Sequence, residues 1–152
     1  MLQRVQTLYL MGVFILAVLL FTGPVAEFSA EQGVMNLKHS GIFNHLGEKM
    51  QLSTWPLTLI FSLVSGLSFF NIFSYKNRVR QMRLCIFLIL VSFGMAGMLF
   101  YYTWVAINKF ETSQTLYQWR FVIPPIIIIL LYLAFRGIRR DELLVKVYDR
   151  IR

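Results

Sequence analysis

Residues 117–152 read Y-Q-W-R-F-V-I-P-P-I-I-I-I-L-L-Y-L-A-F-R-G-I-R-R-D-E-L-L-V-K-V-Y-D-R-I-R. The run from 121 to 135 carries no charge, and it passes into the basic tail with no turn signal stronger than Gly137. One helix is therefore expected to leave an apolar span and continue into water. On a helical wheel Leu143, Leu144, Val147, Tyr148 and Ile151 share an arc of about 140°, with Arg139, Glu142, Lys146, Asp149 and Arg150 opposite. The spacing predicts an amphipathic C-terminal helix with one face that needs cover.

The rest of the chain has the same apolar character. Of 152 residues, 57% are hydrophobic and 14% charged, with mean hydropathy +0.63, outside the usual balance of a soluble domain. Crossing about 30 Å of hydrocarbon takes about 20 helical residues. Four stretches qualify: 8–26, 55–74, 84–107 and 117–135. The expected fold is an all-α, four-helix antiparallel transmembrane bundle forming one domain over residues 1–152, with a tail at 136–152. What lies between the spans is too short to bury an independent core.

The net charge of +8 acquires meaning once it is assigned to sides. Four spans put both ends together with the second connector, collecting eleven Lys and Arg against Asp141, Glu142 and Asp149. The other side holds Lys38, Lys49, Lys109 and Arg120 against Glu27, Glu31, Glu48 and Glu111. One side carries the whole excess, so the positive-inside rule predicts cytoplasmic termini. Topology then explains the basicity, and nucleic acid is not expected as a partner. Arg4 before an apolar run suggests a leader, but Phe28 and Pro24 spoil the two candidate cleavage sites, so the segment is expected to be retained as the first span.

Chemistry-bearing clusters are scarce. A single cysteine, Cys85, excludes an internal disulfide and is read as a small apolar residue. His39, His45 and Glu48 invite a metal, but their spacing fits no helical pair, and they are read as loop residues. No Asp, Glu, Lys or His occupies a mid-membrane position, which argues against ion-coupled transport. No nucleophile with its base, phosphate loop or cofactor motif is present, so no enzyme, cofactor or metal is expected.

Trp55 and Pro56 open the second span, with the proline where its missing N–H costs least. Ser62, Ser65, Gly66 and Ser68 face a matching set in the third span, Ser92, Gly94, Ala96 and Gly97. Small residues let helices approach closely in lipid, so these are expected to pack the two spans together or, alternatively, to line a groove for a lipid or small ligand. Between the spans, Y-K-N-R-V-R-Q-M-R places Lys76, Arg78, Arg80 and Arg83 in a connector suited to anionic lipid. Tyr101, Tyr102, Trp104, Tyr117 and Trp119 are expected to form the outer aromatic belt. A helix starting at Pro124 and Pro125 leaves only about 18 Å before Arg136. The fourth span is therefore expected to start near Ser113 and kink at the prolines, as a fixed bend or a gating hinge, with Arg120 turned to headgroups or to the freed carbonyls. In the outer loop 27–54, residues 34–37 and 42–43 around K-H-S-G suit a short β-hairpin.

Three blocks, M-L-Q-R-V-Q-T-L-Y-L, S-T-W-P-L with Y-K-N-R-V-R-Q-M-R-L-C, and the tail from Arg136, resemble a domain-of-unknown-function family of small four-span inner-membrane proteins from Gram-negative bacteria of the Bacteroidota type. The resemblance covers nearly the whole chain. It implies topology and location but no activity, and it draws attention to Arg78, Arg80, Arg83, Arg139, Arg140, Asp141, Glu142 and Arg150.

The expected function is that of a non-catalytic membrane scaffold or accessory subunit. Its connector and tail (Lys76, Arg78, Arg80, Arg83, Arg139, Arg140, Asp141, Glu142, Leu143, Leu144, Val147, Tyr148, Arg150, Ile151) would dock a protein partner, a second copy or the anionic inner leaflet. The alternative is a lipid- or small-ligand-binding protein that uses the small-residue face and a cavity between the second and fourth spans. A lipid-directed enzyme is the weakest option, because no residue can be nominated for the chemistry. Green fluorescent protein fused after residue 152 is expected to fluoresce, and alkaline phosphatase fused there to stay inactive. The reverse pattern would overturn the assigned orientation.

Overall fold

The structure, a computed structural model, describes residues 3–30, 33–44, 50–74, 77–109 and 114–151. In chain order it contains α1 (Gln3–Leu19), β1 (Ala26–Ala30), β2 (Gly33–Lys38), β3 (Gly41–Asn44), β4 (Met50–Ser53), α2 (Trp55–Phe73), α3 (Arg78–Lys109), β5 (Gln114–Tyr117), a 3-10 turn (Trp119–Val122) and α4 (Ile123–Ile151). The four helices pack in a ring: α1 against α2 and α4, and α3 against α2 and α4.

Each helix presents a stripe at three- and four-residue spacing. Leu10, Val13, Ala17 on α1 and Ile127, Leu131, Ala134, Ile138 on α4 are fully covered or nearly so, as are Leu57, Phe61, Val64 on α2 and Leu88, Met95, Leu99 on α3. The opposite faces are also apolar. Phe69, Phe70, Leu90, Phe93, Ile129 and Tyr132 are all exposed. Trp55–Phe73, Arg78–Lys109 and Trp119–Val145 are long and apolar enough to cross a membrane, which is compatible with a multi-pass membrane protein, whereas the apolar helix Val5–Leu19 is shorter.

A five-stranded antiparallel sheet, in the order β4-β3-β2-β1-β5, replaces the expected lone hairpin and makes the fold more than all-α. The anticipated hairpin is its centre: Leu37 pairs with Ile42 and Lys38 with Gly41, across the turn at His39 and Ser40. Two strands alone are marginal. Here β1 adds to β2 with Phe28 opposite Met35, and β5 adds to β1 from the far side of α3. Alternation puts Ala26, Phe28, Met35, Leu37 and Ile42 on one buried face, packed on Ala106, Tyr102 and Ile107 of α3. The turn is also held from below. The Thr54 hydroxyl lies 3.0 Å from the carbonyls of both Lys38 and His39, and the Thr58 hydroxyl donates to the His39 carbonyl at 2.8 Å.

Several expected boundaries move. The first helix ends at Leu19 rather than running to 26, because Pro24 has no N–H to donate and Val25 to Ala30 are drawn into the sheet, the Val25 N–H donating to the Leu37 carbonyl at 2.8 Å. Arg78, Arg80 and Arg83 belong to the first turns of α3 rather than to a connector, while Lys76 lies outside the described residues.

Pro124 and Pro125 do not kink a helix begun near Ser113. Residues 114–117 are strand, and the prolines occupy the first turn of α4, where a missing N–H costs little. The 3-10 turn before them lets the Ile123 N–H serve the Arg120 carbonyl, so that carbonyl is not left waiting for a proline donor. The stretched turn, at about 2.0 Å per residue, also restores the rise that an α-helix starting at the prolines lacks.

Most of the small residues of α2 and α3 lie outside the packed core. Gly66, Gly94 and Gly97 have nothing within 4 Å of where a Cβ would stand, and Ser62 is exposed. Ser65 and Ala96 are half-buried, and only Ser68 and Ser92 enter the core. Their spacing of four is correct for a helical stripe, but that stripe points outward. The side chains turned inward are those of the neighbouring stripe, Val64, Ser68 and Asn71 on α2 and Cys85, Leu88 and Ser92 on α3, and the Asn71 amide on Cys85 Sγ links the two helices. A shallow groove of Leu59, Ser62, Leu63, Gly66 and Leu67 lies on the face of α2.

Leu37→Ala is expected to destabilise the protein by about 2–5 kcal/mol in thermal unfolding in mild detergent, because it opens a hole under the sheet. Val34→Ala, on the same strand but exposed, should stay within about 0.5 kcal/mol. Equal effects would contradict the assignment of faces.

Candidate functional site

The end of the ring opposite the sheet carries Arg78, Arg80 and Arg83 on α3 and Arg136, Arg139 and Arg140 on α4. Polar side chains from all four helices, the Asp141 carboxylate of α4 among them, form two bonded groups beneath this basic surface. Gln6 on α1 is only 7% exposed, and its Nε2 donates to Asp141 Oδ2 on α4 at 2.6 Å. A carboxylate acceptor makes this a strong bond, and it joins residues 135 apart in the chain. Gly137 allows the approach, since a Cβ there would stand 3.1 Å from Gln6 Cγ.

Arg78 brings α3 to the same residue, its Nη1 donating to the Asp141 carbonyl at 3.3 Å. On the other side of the ring the fully buried Asn71 of α2 donates through Nδ2 to Cys85 Sγ at 3.3 Å, while its backbone carbonyl accepts from Gln81 Nε2 at 3.3 Å. The Asn71 Oδ1 and Ser92 Oγ atoms are buried with no hydrogen-bond partner among the described residues. These contacts tie the helix ends together. They contain no nucleophile held by a base, and the charge above them suits recognition of anions.

A groove of about 370 Å³ opens between α3 and α4 at this end. Arg83 and Arg139 stand on its two walls with Glu142, and the remaining lining is Val79, Met82, Ile86, Phe135 and Leu143. Arg80 faces a different groove, with Phe70, Phe73, Ser74 and Asn77. Of the expected docking residues, Leu143 and Leu144 are exposed, Asp141 and Glu142 are half-buried, and Arg139 and Arg140 are exposed. The helix backbone continues through Val147, Tyr148, Arg150 and Ile151, whose side chains lie outside the described residues.

At the sheet end Arg120 turns back onto the protein. Its Nη1 donates to the Pro24 carbonyl at 3.4 Å and its guanidinium stacks 4.8 Å from the Trp119 ring, rather than serving the carbonyls near the prolines. Gly23 leaves room for it, because a Cβ there would lie 2.8 Å from the guanidinium carbon. The His39 ring sits edge-on to Phe21 at 5.2 Å, and burial first, then Lys38, holds its pKa below the ordinary value. His45 and Glu48, the companions expected in a metal reading, lie outside the described residues. Among the described residues no three His, Cys, Asp or Glu side chains come together.

A count of charges does not single out Gln6, Asn71 and Gln81. The signal that was available was an amide set among apolar neighbours, as in F-F-N-I-F around Asn71, because a buried amide needs partners. Asp141→Ala is expected to lower stability by about 1–3 kcal/mol, since it strands the Gln6 amide, and Asp141→Asn should recover much of that. Thermal unfolding in detergent measures it. If Asp141→Ala matched the exposed Arg140→Ala, the α1–α4 tie would have no energetic weight.

No curated protein matches the chain. The family described as "Domain of unknown function (DUF4293)" matches residues 2–151, so the match takes in the helices, the sheet and the basic end alike, and the chain belongs to that family.

Proposed function

We propose that the protein is a four-span inner-membrane protein of bacteria with both termini in the cytoplasm. It works as a non-catalytic scaffold or accessory subunit that docks a partner through its basic end and terminal helix. The observation that carries this reading is α4, which runs unbroken from Ile123 to Ile151. Its last described core residue is Ile138, and thirteen residues, about 20 Å of helix, follow it, the last ten of them beyond the Asp141 tie to α1 and α3. That extension holds Leu143, Leu144 and Val145 all more than 40% exposed. Continuous with a packed helix, it bears no nucleation cost, but its apolar face gains stability only when covered.

Support for the fourth span comes from α1. Although short, it is tied near one end to α4 through Gln6 and Asp141, and the turn that follows it, Thr22–Pro24, is held by Arg120 just before α4 begins. Its outward face is apolar, with Leu8, Met11, Ile15 and Val18 exposed. The orientation follows from the arginine excess at the end away from the sheet.

A benzophenone amino acid at position 144, activated in native membranes, should yield a protein adduct of one defined mass, from a partner or a second copy. Adducts to lipid alone would remove the docking claim. A chain ending at Glu142 keeps Ile138 and Asp141, so its ring should stay intact while a stoichiometric companion, present with the full chain in mild detergent, is lost. A companion that survives this truncation would place docking elsewhere.

A further inference from the structure

The groove between α3 and α4 has a composition and a depth that suit one kind of occupant, and the argument rests on the membrane-spanning reading above. Arg83 is the last charge before a stretch of α3 that carries none until Lys109. Arg139 lies one turn beyond Arg136, the first charge after the uncharged run of α4. Because the two helices run in opposite directions, both guanidinium groups arrive at the level where hydrocarbon would give way to headgroups. About one turn deeper on the same walls stand Ile86 and Phe135. Charge above and an apolar slot directly below is the order of groups in a phospholipid, whose phosphate and acyl chains are joined by a short glycerol.

We propose that this groove binds one anionic phospholipid, its phosphate held between Arg83 and Arg139 and an acyl chain laid along Ile86 and Phe135. Guanidinium groups meet phosphate through paired, charge-assisted hydrogen bonds, which a lysine does not reproduce. Two arginines against the one carboxylate of Glu142 leave the lining net positive, favouring a headgroup with net negative charge. A volume of about 370 Å³ holds a glycerophosphate and the upper part of a chain and leaves the remainder in the bilayer. The site gives the basic end a fixed lipid as part of its docking surface, beyond a diffuse attraction to the leaflet.

The test uses the full chain in non-ionic detergent, titrated with phosphatidylglycerol or phosphatidylcholine and read by native mass spectrometry. One phosphatidylglycerol should be retained in preference to phosphatidylcholine. R83Q/R139Q should weaken phosphatidylglycerol retention about tenfold or more and leave phosphatidylcholine unchanged. R80Q/R140Q removes the same charge away from the groove and should leave phosphatidylglycerol within about twofold. Equal losses in the two double variants would mean that only diffuse charge is at work, and full retention in R83Q/R139Q would empty the groove of a role. Either result overturns the proposal, as would a benzophenone at position 86 that captures only protein. Matched thermal unfolding of the variants establishes that each is folded. Extraction of the chain from membranes by alkaline carbonate would defeat the membrane reading itself, whereas a chain that stays in the membrane but binds lipid without preference defeats only this site.

Discussion

Backbone hydrogen bonding is the constraint from which the rest of this structure follows. An apolar surrounding offers a peptide N–H or carbonyl no partner, so each apolar segment has to satisfy its own groups, and an α-helix does so residue by residue. The four prolines obey that constraint. Pro24 follows the end of α1, Pro56 lies in the first turn of α2, and Pro124 and Pro125 lie in the first turn of α4. None interrupts a helix. The 3-10 turn at Trp119–Val122 belongs to the same economy, since it closes the Arg120 carbonyl before the prolines remove the next donors.

Where the apolar helices end, a different solution takes over. The chain between α1 and α2 and the chain between α3 and α4 lie far apart in sequence, yet both pair with β1 or its neighbours in one sheet. The sheet is stable because its inner face, with Phe28 and Leu37 fully buried, sits on the last turns of the 32-residue α3. Each such side chain contributes about 1.5–3 kcal/mol by leaving water. This end of the molecule is held by hydrophobic burial of a kind that lipid-facing surfaces do not gain.

The opposite end is held by polar contacts and covered with positive charge. Gln6, Asn71, Gln81, Arg78 and Asp141 join the helices there, and the arginines outside them are left to face whatever lies beyond. A groove with guanidinium groups over an apolar floor lies between α3 and α4 there, and α4 runs on beyond its last described core residue. The division of labour is physical. One end is closed by a sheet, and the other is left with surfaces suited to binding.

Composition and periodicity by themselves determined that the chain is built from apolar helices, where α2 begins, that a turn falls at His39 and Ser40, and that the tail is helical, because these depend on neighbours within a turn or a strand. The charge count likewise marked one end as basic. Tertiary structure decided the remainder. Spacing alone does not tell which of two adjacent stripes faces a partner helix, and so Gly66, Gly94 and Gly97 point outward while Ser68 and Ser92 point in. Residues 114–117 became strand because β1 offered an open edge, a partner almost ninety residues away that no local window contains. The tie between Gln6 and Asp141 has the same origin: a hydrogen bond across 135 residues exists only once α1 and α4 have been brought side by side.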